Sequence, residues 1–481
     1  MSTDNGGLLG KSGVKSAFDG PLESAAALAI NYLADLGRSA VGAPADAAAL
    51  RARIAKPLSR YGLAAEEVIR ELAADVNGGL HSVAGGRFFA WVIGGSLPAA
   101  LAADWLTSAW DQNAHTYGTG PAAAITEDAV GGWLKEIIGI PLQASFALVT
   151  GCQMAHFTCL AAARHALLAQ RAWDVETNGL SGAPAIRVLS SDQAHGSIDR
   201  AVSLLGIGTS NLIKLPSDLG GRLQAGALES ALAAQPKMPT VVILQAGDLN
   251  IGAFDQFETL IPIAKRYGAW VHVDGAFGLW VAASSSYRHL LAGVDAADSW
   301  ATDGHKWLNV PYDCGYAFVA DPTAHGAAMS HRASYISYSS DARDQSDWNP
   351  EWSRRARGFS TYAAIRQLGT NGISDMIERC CAHALSLATE IGSLPGAELL
   401  WKPQINQGLV RFLDLREGSS QEDHDRRTDQ MIAKINSAGE AFFSGTTWRG
   451  RRAMRLSVCN WQTTDADIER VVGSIRQLLR G

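Results

Sequence analysis

Between residues 145 and 320 short apolar runs of strand length alternate with stretches whose apolar residues recur at helical spacing. Few architectures accept that order. Strands that are apolar throughout need cover on both faces, and intervening helices provide it when the strands run mainly parallel. The pattern therefore predicts an α/β fold with a mainly parallel central sheet and helices on both faces. Four of the runs are 145–150, 185–191, 240–247 and 269–274, and another precedes Lys306. Open sheets of this kind collect ligands at the carboxyl ends of their strands, and the run 269–274 ends in Asp274 at such an edge.

Residues 269–315 carry the densest chemistry: Ala-Trp-Val-His-Val-Asp274-Gly-Ala276-Phe, an intervening stretch read as helical, then Asp303-Gly-His305-Lys306-Trp-Leu-Asn-Val-Pro-Tyr-Asp313-Cys-Gly315. A lysine and an aspartate offered from neighbouring strand ends are the pair that pyridoxal 5'-phosphate (PLP) requires. The lysine forms a Schiff base, and the carboxylate keeps the pyridine nitrogen protonated so that the ring accepts electrons. No Gly-x-Gly-x-x-Gly and no Gly-Lys-Ser/Thr loop opens any of the helices, so nicotinamide and nucleotide readings lose their main support. The stretch resembles the group II PLP-dependent amino-acid decarboxylases, the family of aromatic-L-amino-acid and glutamate decarboxylases. It does so in 271–276, in His305-Lys306-Trp307 and in Asp313-Cys314-Gly315.

That resemblance implies PLP fold type I (aspartate aminotransferase-like) with a small C-terminal α/β domain, and decarboxylation of an L-amino acid to its amine and CO2. It places Lys306, Asp274, Ala276, Asp303 and His305 on the cofactor. The turn Thr150-Gly151-Cys152-Gln153 opens a helix whose N-terminus is a ready phosphate site. The family puts the PLP phosphate there, usually with Gly-Thr-Glu-Ala-Asn or Ser-Glu-Ala-Thr. Here the sequence is Cys152-Gln-Met-Ala-His156, so a hydroxyl contact is replaced by the Gln153 amide. Asp192-Gln-Ala-His195-Gly-Ser197 resembles the family's Ala-His-x-Ser stretch, which implies that His195 stacks on the cofactor ring.

The substrate side is read from four places. Arg87-Phe88-Phe89-Ala-Trp91 is similar to the family's His-Pro-x-Phe-Phe-x-Tyr segment, so Phe88, Phe89 and Trp91 are either an aromatic wall or core packing. Gly94-Gly95 stand where aromatic decarboxylases have bulkier or hydroxylated residues, which suggests a wider or differently shaped pocket. Asp248 replaces a threonine-rich turn; facing the pocket it favours a distal amine or hydroxyl, and otherwise it caps a turn. In Arg354-Arg355-Ala-Arg357 the arginines suit carboxylate recognition or inter-subunit ion pairs, with Arg355 the substrate candidate. The irregular region after residue 320 contains Ser334-Tyr335-Ile336, which resembles the mobile loop whose tyrosine returns a proton to the substrate carbon; Tyr338 is the fallback. The family's aldehyde synthases tend to have phenylalanine there. An aldehyde synthase or aminotransferase on the same fold is the alternative activity, and a regulatory subunit without turnover is the non-enzyme alternative.

The formal charge of −6 is spread over interspersed acids and bases, which leaves no basic stripe for nucleic acid and no polybasic membrane anchor. No uncharged apolar stretch reaches the ~18–20 residues that span a bilayer. Small metabolites are the expected partners. The six cysteines show no CxxC pair, and the N-terminus lacks the regions of a signal peptide, so a reduced, cytoplasmic setting is expected. Cys380, Cys381 and His383 lack further ligands at usable spacing, and no metal is expected. The expected organisation is a helical N-terminal segment 1–115, with a helix around 64–77, a large PLP-binding domain 116–385, and a small C-terminal domain 386–481. By the resemblance, the N-terminal helices pack on a partner subunit of a homodimer whose active site lies at the interface.

Overall fold

The computed structural model describes residues 16–331 and 342–480. Seven strands, β1 (Ser145–Val149), β2 (Arg187–Ser191), β3 (Leu212–Leu215), β4 (Thr240–Gln245), β5 (Trp270–Asp274), β6 (Ser299–Asp303) and β7 (Gly315–Val319), form one sheet in the order β1-β7-β6-β5-β4-β2-β3. β3, β2, β4, β5 and β6 are parallel. β7 is antiparallel to both β6 and β1. The link between β6 and β7 is too short for a helical crossover, so the chain turns back and leaves Lys306 in the turn. Because β1 is antiparallel to β7, it points the same way as β6, and its carboxyl end reaches the same sheet edge.

Alternate residues of each strand enter two different cores, as covered faces require. Val241 and Ile243 of β4 join a cluster built with the helices Cys152–Ala169 and Gly196–Leu204. Val242 and Leu244 join the larger cluster with the helices Pro121–Ile138 and Phe257–Arg266. This is the α/β sheet the alternation predicts. The stretch between Phe277 and Asp298 differs from expectation: it is three short 3-10 helices, Gly278–Ala283, Arg288–Leu291 and Val294–Ala296, interrupted at Ser284 and Gly293. One of these carries Trp280, whose indole donates to the Asp303 carbonyl at 2.9 Å and fixes the end of β6.

A long helical segment, Gly358–Gly392, leads to a second sheet of β8 (Ala397–Trp401), β9 (Gln407–Phe412), β10 (Ser444–Trp448) and β11 (Arg451–Ser457) in the antiparallel order β10-β11-β9-β8. At the other end of the chain, the helices Asp19–Asp35 and Ala65–Val76 pack on each other and expose Leu22, Ile30, Val68 and Leu72.

Fully buried His325 lies between the Ser145 hydroxyl, 2.8 Å from Nδ1, and the Trp348 carbonyl, 2.9 Å from Nε2. Burial, assisted by the Arg343 charge, pushes its pKa down to about 3. The unfolded chain then binds the proton first as pH falls, so the contribution of His325 to stability is complete above about pH 6.5 and declines towards pH 3. Urea unfolding is expected to lose roughly 1 kcal/mol per pH unit from this residue across that window. A His325→Phe variant should show a correspondingly shallower decline between pH 6.5 and 4.

Candidate active site

The carboxyl ends of β4, β5 and β6 and the turn after β1 surround a cavity of ≈ 560 Å³. Gly151, Cys152 and Gln153 line it at the start of the helix Cys152–Ala169; Asp274 and Ala276 line it at the end of β5. Asp303, His305 and Lys306 follow β6, and His195 follows β2. All nine are the residues the sequence assigned to the cofactor. They arrive from four strand ends, which is the geometry of ligand capture in an open parallel sheet.

Asp303 is the hub of the charged groups. Its Oδ1 accepts the Cys152 N–H at 2.6 Å, and its Oδ2 lies 2.9 Å from Lys306 Nζ. Burial works against the Lys306 ammonium, but Asp303 and Asp274 outweigh it, and the pKa rises above that of a free lysine. His305 accepts the Cys314 N–H at Nδ1 (3.2 Å), which leaves its proton on Nε2, 3.6 Å from Asp303 Oδ1. Tyr312 stacks on the His305 ring with centroids 4.4 Å apart. His195 caps the helix Gly196–Leu204, its Nδ1 accepting the Ser197 N–H, and burial lowers its pKa. Burial thus favours the neutral imidazole.

These residues fit PLP. Lys306 offers an amine for the aldehyde carbon, and Asp274 offers a buried carboxylate for the ring nitrogen. For the phosphate there is a helix N-terminus, beside which the Gln153 Nε2 is buried without a hydrogen-bond partner. Among the described residues Cys152, His156 and Asp274 also bring atoms of metal-ligand type within 4.8 Å of one another, a grouping the sequence did not suggest.

Three expected substrate contacts do not reach the cavity. Phe89 is fully buried and stacks on Phe443 with centroids 5.3 Å apart, and its neighbour Phe88 stacks on Phe442. Only Trp91 of that aromatic segment lines the cavity. Asp248 turns inward to accept N–H groups of Asn250 (2.9 Å) and Ala253 (2.8 Å), closing its own loop; burial raises its pKa even so. Arg355 is taken up by Asp104, 2.7 Å away, and by Ser108. Gly94 and Gly95 do not widen the pocket either. A side chain at Gly94 would meet the Lys306 carbonyl at 1.9 Å, and one at Gly95 would meet the Asn460 amide, so Gly94 serves close packing against the lysine backbone and Gly95 against Asn460. Tyr335 and Tyr338 lie outside the described residues.

Sequence reasoning missed Arg455 and Tyr312, both of which line the cavity. Arg455 comes from β11 of the other sheet; its Nη1 donates to the Leu249 carbonyl at 2.9 Å, and its buried Nε has no partner. Burial lowers its pKa to about 10 against the attraction of Asp248. A charge inside the apolar run Met454-Arg-Leu-Ser-Val was the available signal, because a buried arginine needs a partner or a purpose.

The family profile described as pyridoxal-dependent decarboxylase conserved domain matches residues 50–413. The chain belongs to this family. Its cofactor is therefore PLP and its chemistry that of a PLP-dependent carboxy-lyase. The chain is 26% identical over 462 residues to an aromatic-L-amino-acid decarboxylase of Bacillus atrophaeus, covering 94% of this chain and 93% of that one. It is also 26% identical over 407 residues to a cysteine sulfinic acid decarboxylase of Rattus norvegicus, covering 82% of each. Among solved structures, Oryza sativa TDC with PLP and tryptamine superposes with a TM-score of 0.88 at 22% identity, covering 96% of this chain and 98% of that one. Relatives of this PLP-dependent decarboxylase thus differ in substrate while sharing its fold.

Proposed function

We propose that this chain removes the carboxylate of an L-amino acid as CO2 and releases the amine, with Lys306 as the point of covalent attachment and Asp274 facing the cofactor's ring nitrogen. The reading is supported chiefly by the convergence of Lys306, Asp274, His195 and the Gly151 turn on one cavity. When bound, PLP supplies an electron sink for the carbon that loses CO2. The residues do the rest. Lys306 must shed a proton to act as a nucleophile, and until then Asp303 Oδ2, 2.9 Å away, holds its ammonium in the cavity. Asp274, held at the end of β5, places a carboxylate in the cavity, where it favours a cationic ring nitrogen. His195, kept neutral by burial, lines the same cavity and is assigned to stack on the ring.

Trp91, Phe277 and Tyr312 present aromatic surface to the cavity, which supports an aromatic substrate side chain. An acidic substrate is the second reading, because Arg455 lines the same cavity with a buried, unpartnered Nε. Arg455→Met separates the two. With an aromatic substrate kcat/KM is expected to fall by less than about tenfold; with an acidic one the loss of a buried charge-assisted contact is expected to cost on the order of 100-fold.

By its position in the sequence Tyr335 is assigned as the acid that returns a proton to the substrate carbon. Tyr335→Phe is expected to lower amine formation by on the order of 10²-fold and to divert product to the aldehyde when O2 is present. Unchanged amine output from that variant would remove Tyr335 from the mechanism. We also assign a homodimer, supported by the exposed apolar residues Leu22, Ile30, Val68 and Leu72 on the N-terminal helices, and a reduced, cytoplasmic setting, supported by six free cysteines. Light scattering in solution should then give twice the 51.0 kDa chain mass. No helix among the described residues is long and apolar enough to cross a membrane.

A further inference from the structure

Behind Asp274 a line of polar side chains runs through the buried core. Asp274 Oδ2 lies 3.6 Å from His156 Nε2; His156 Nδ1 lies 2.9 Å from His272 Nε2; His272 Nδ1 lies 2.9 Å from Ser299 Oγ; and Ser299 Oγ lies 2.9 Å from Trp270 Nε1. Both imidazoles and the serine are fully buried. Two of these groups come from β5, one from β6 and one from the helix Cys152–Ala169, so the line ties together the elements that also deliver Asp274, Asp303 and the Gly151 turn.

The carboxylate end of the line sets its direction, and the indole end is compatible with it. An indole N–H only donates, and a carboxylate only accepts. Trp270 donates to Ser299 Oγ, which leaves the hydroxyl proton available to His272 Nδ1. His272 then carries its proton on Nε2 and donates to His156 Nδ1. His156 in turn carries its proton on Nε2, directed at Asp274 and beside Cys152 Sγ at 3.4 Å. In the opposite direction a bare nitrogen lone pair of His156 would face the carboxylate. Burial lowers the pKa of His156 to about 3 and that of His272 well below the usual value, so each ring holds the single proton this pattern needs.

We propose that Trp270, Ser299, His272 and His156 form a one-way hydrogen-bond relay that directs the His156 Nε2 proton at Asp274 and makes His156 a positioning residue for that carboxylate. At 3.6 Å the last contact is a charge–dipole attraction slightly longer than a hydrogen bond. It holds Oδ2 from behind, the Ala276 N–H holds Oδ1 at 3.2 Å, and the carboxylate stays oriented towards the cavity. The relay rests on the reading that Asp274 faces the ring nitrogen.

Two measurements on the full chain test it. In 15N-histidine-labelled apoprotein, with signals assigned through His156→Gln and His272→Gln, both residues are expected as neutral Nε2–H tautomers; an Nδ1–H tautomer at either one overturns the relay. Titration of apoprotein with PLP, followed by absorbance, then reads the consequence. His156→Leu is expected to weaken PLP binding by about tenfold, while His156→Gln, which keeps an N–H in that place, stays within about threefold of the parent. Equal affinity of the leucine variant and the parent overturns the positioning role. If the parent itself does not bind PLP, the assignment of Asp274 to the cofactor fails, whereas the tautomers still decide the relay.

Discussion

Lys306→Ala is expected to lower decarboxylation by on the order of 10⁴-fold or more, because no other amine lines the cavity among the described residues. Binding of PLP should survive in weakened form, since the Gly151 turn, Gln153 and Asp274 remain. The visible band of the lysine-linked cofactor should disappear, and excess free amine should restore part of the activity. Loss of turnover with the band intact would assign the attachment to a different lysine. Asp303 is left without its cationic partner in this variant, so a modest loss of thermal stability accompanies the change.

Asp274→Asn is the second large effect. An amide cannot favour a charged ring nitrogen, so kcat is expected to fall on the order of 10²–10³-fold with a smaller change in KM. The substitution is close to isosteric, and the register of β5 between β4 and β6 is set by backbone pairing, so the fold should be retained. A kcat within a few-fold of the parent would show that the ring nitrogen is held by something else. The amide also presents N–H groups to His156, which disturbs the carboxylate end of the buried relay, so weaker PLP binding should accompany the slower turnover.

The sheet, and the gathering of the candidate cofactor residues at one of its edges, were legible because they depend on local pattern. The run Trp270–Asp274 is apolar enough to be buried on both faces and ends in a carboxylate, and His305-Lys306-Trp307 follows the next run. The substrate side was not legible, because its outcome depends on partners distant in sequence. Phe89 is drawn into the core by Phe443, and Arg355 by Asp104; nothing near either residue indicates that choice. Asp248 could be read two ways, and the N–H groups of Asn250 and Ala253 decided for the turn. Arg455 reaches the cavity from the second sheet, so only a charge in an otherwise apolar strand marked it. Gly94 illustrates the same limit: an absent side chain signals space, but the space is filled by the Lys306 backbone.

The most direct test is to load the purified chain with PLP, supply a panel of aromatic and acidic L-amino acids, and measure CO2 and amine together. One substrate giving CO2 and its amine in equal amounts, with no turnover in Lys306→Ala, is the result expected of an amino-acid decarboxylase built on this site. Aldehyde or keto acid in place of the amine, or turnover that persists without Lys306, would contradict it.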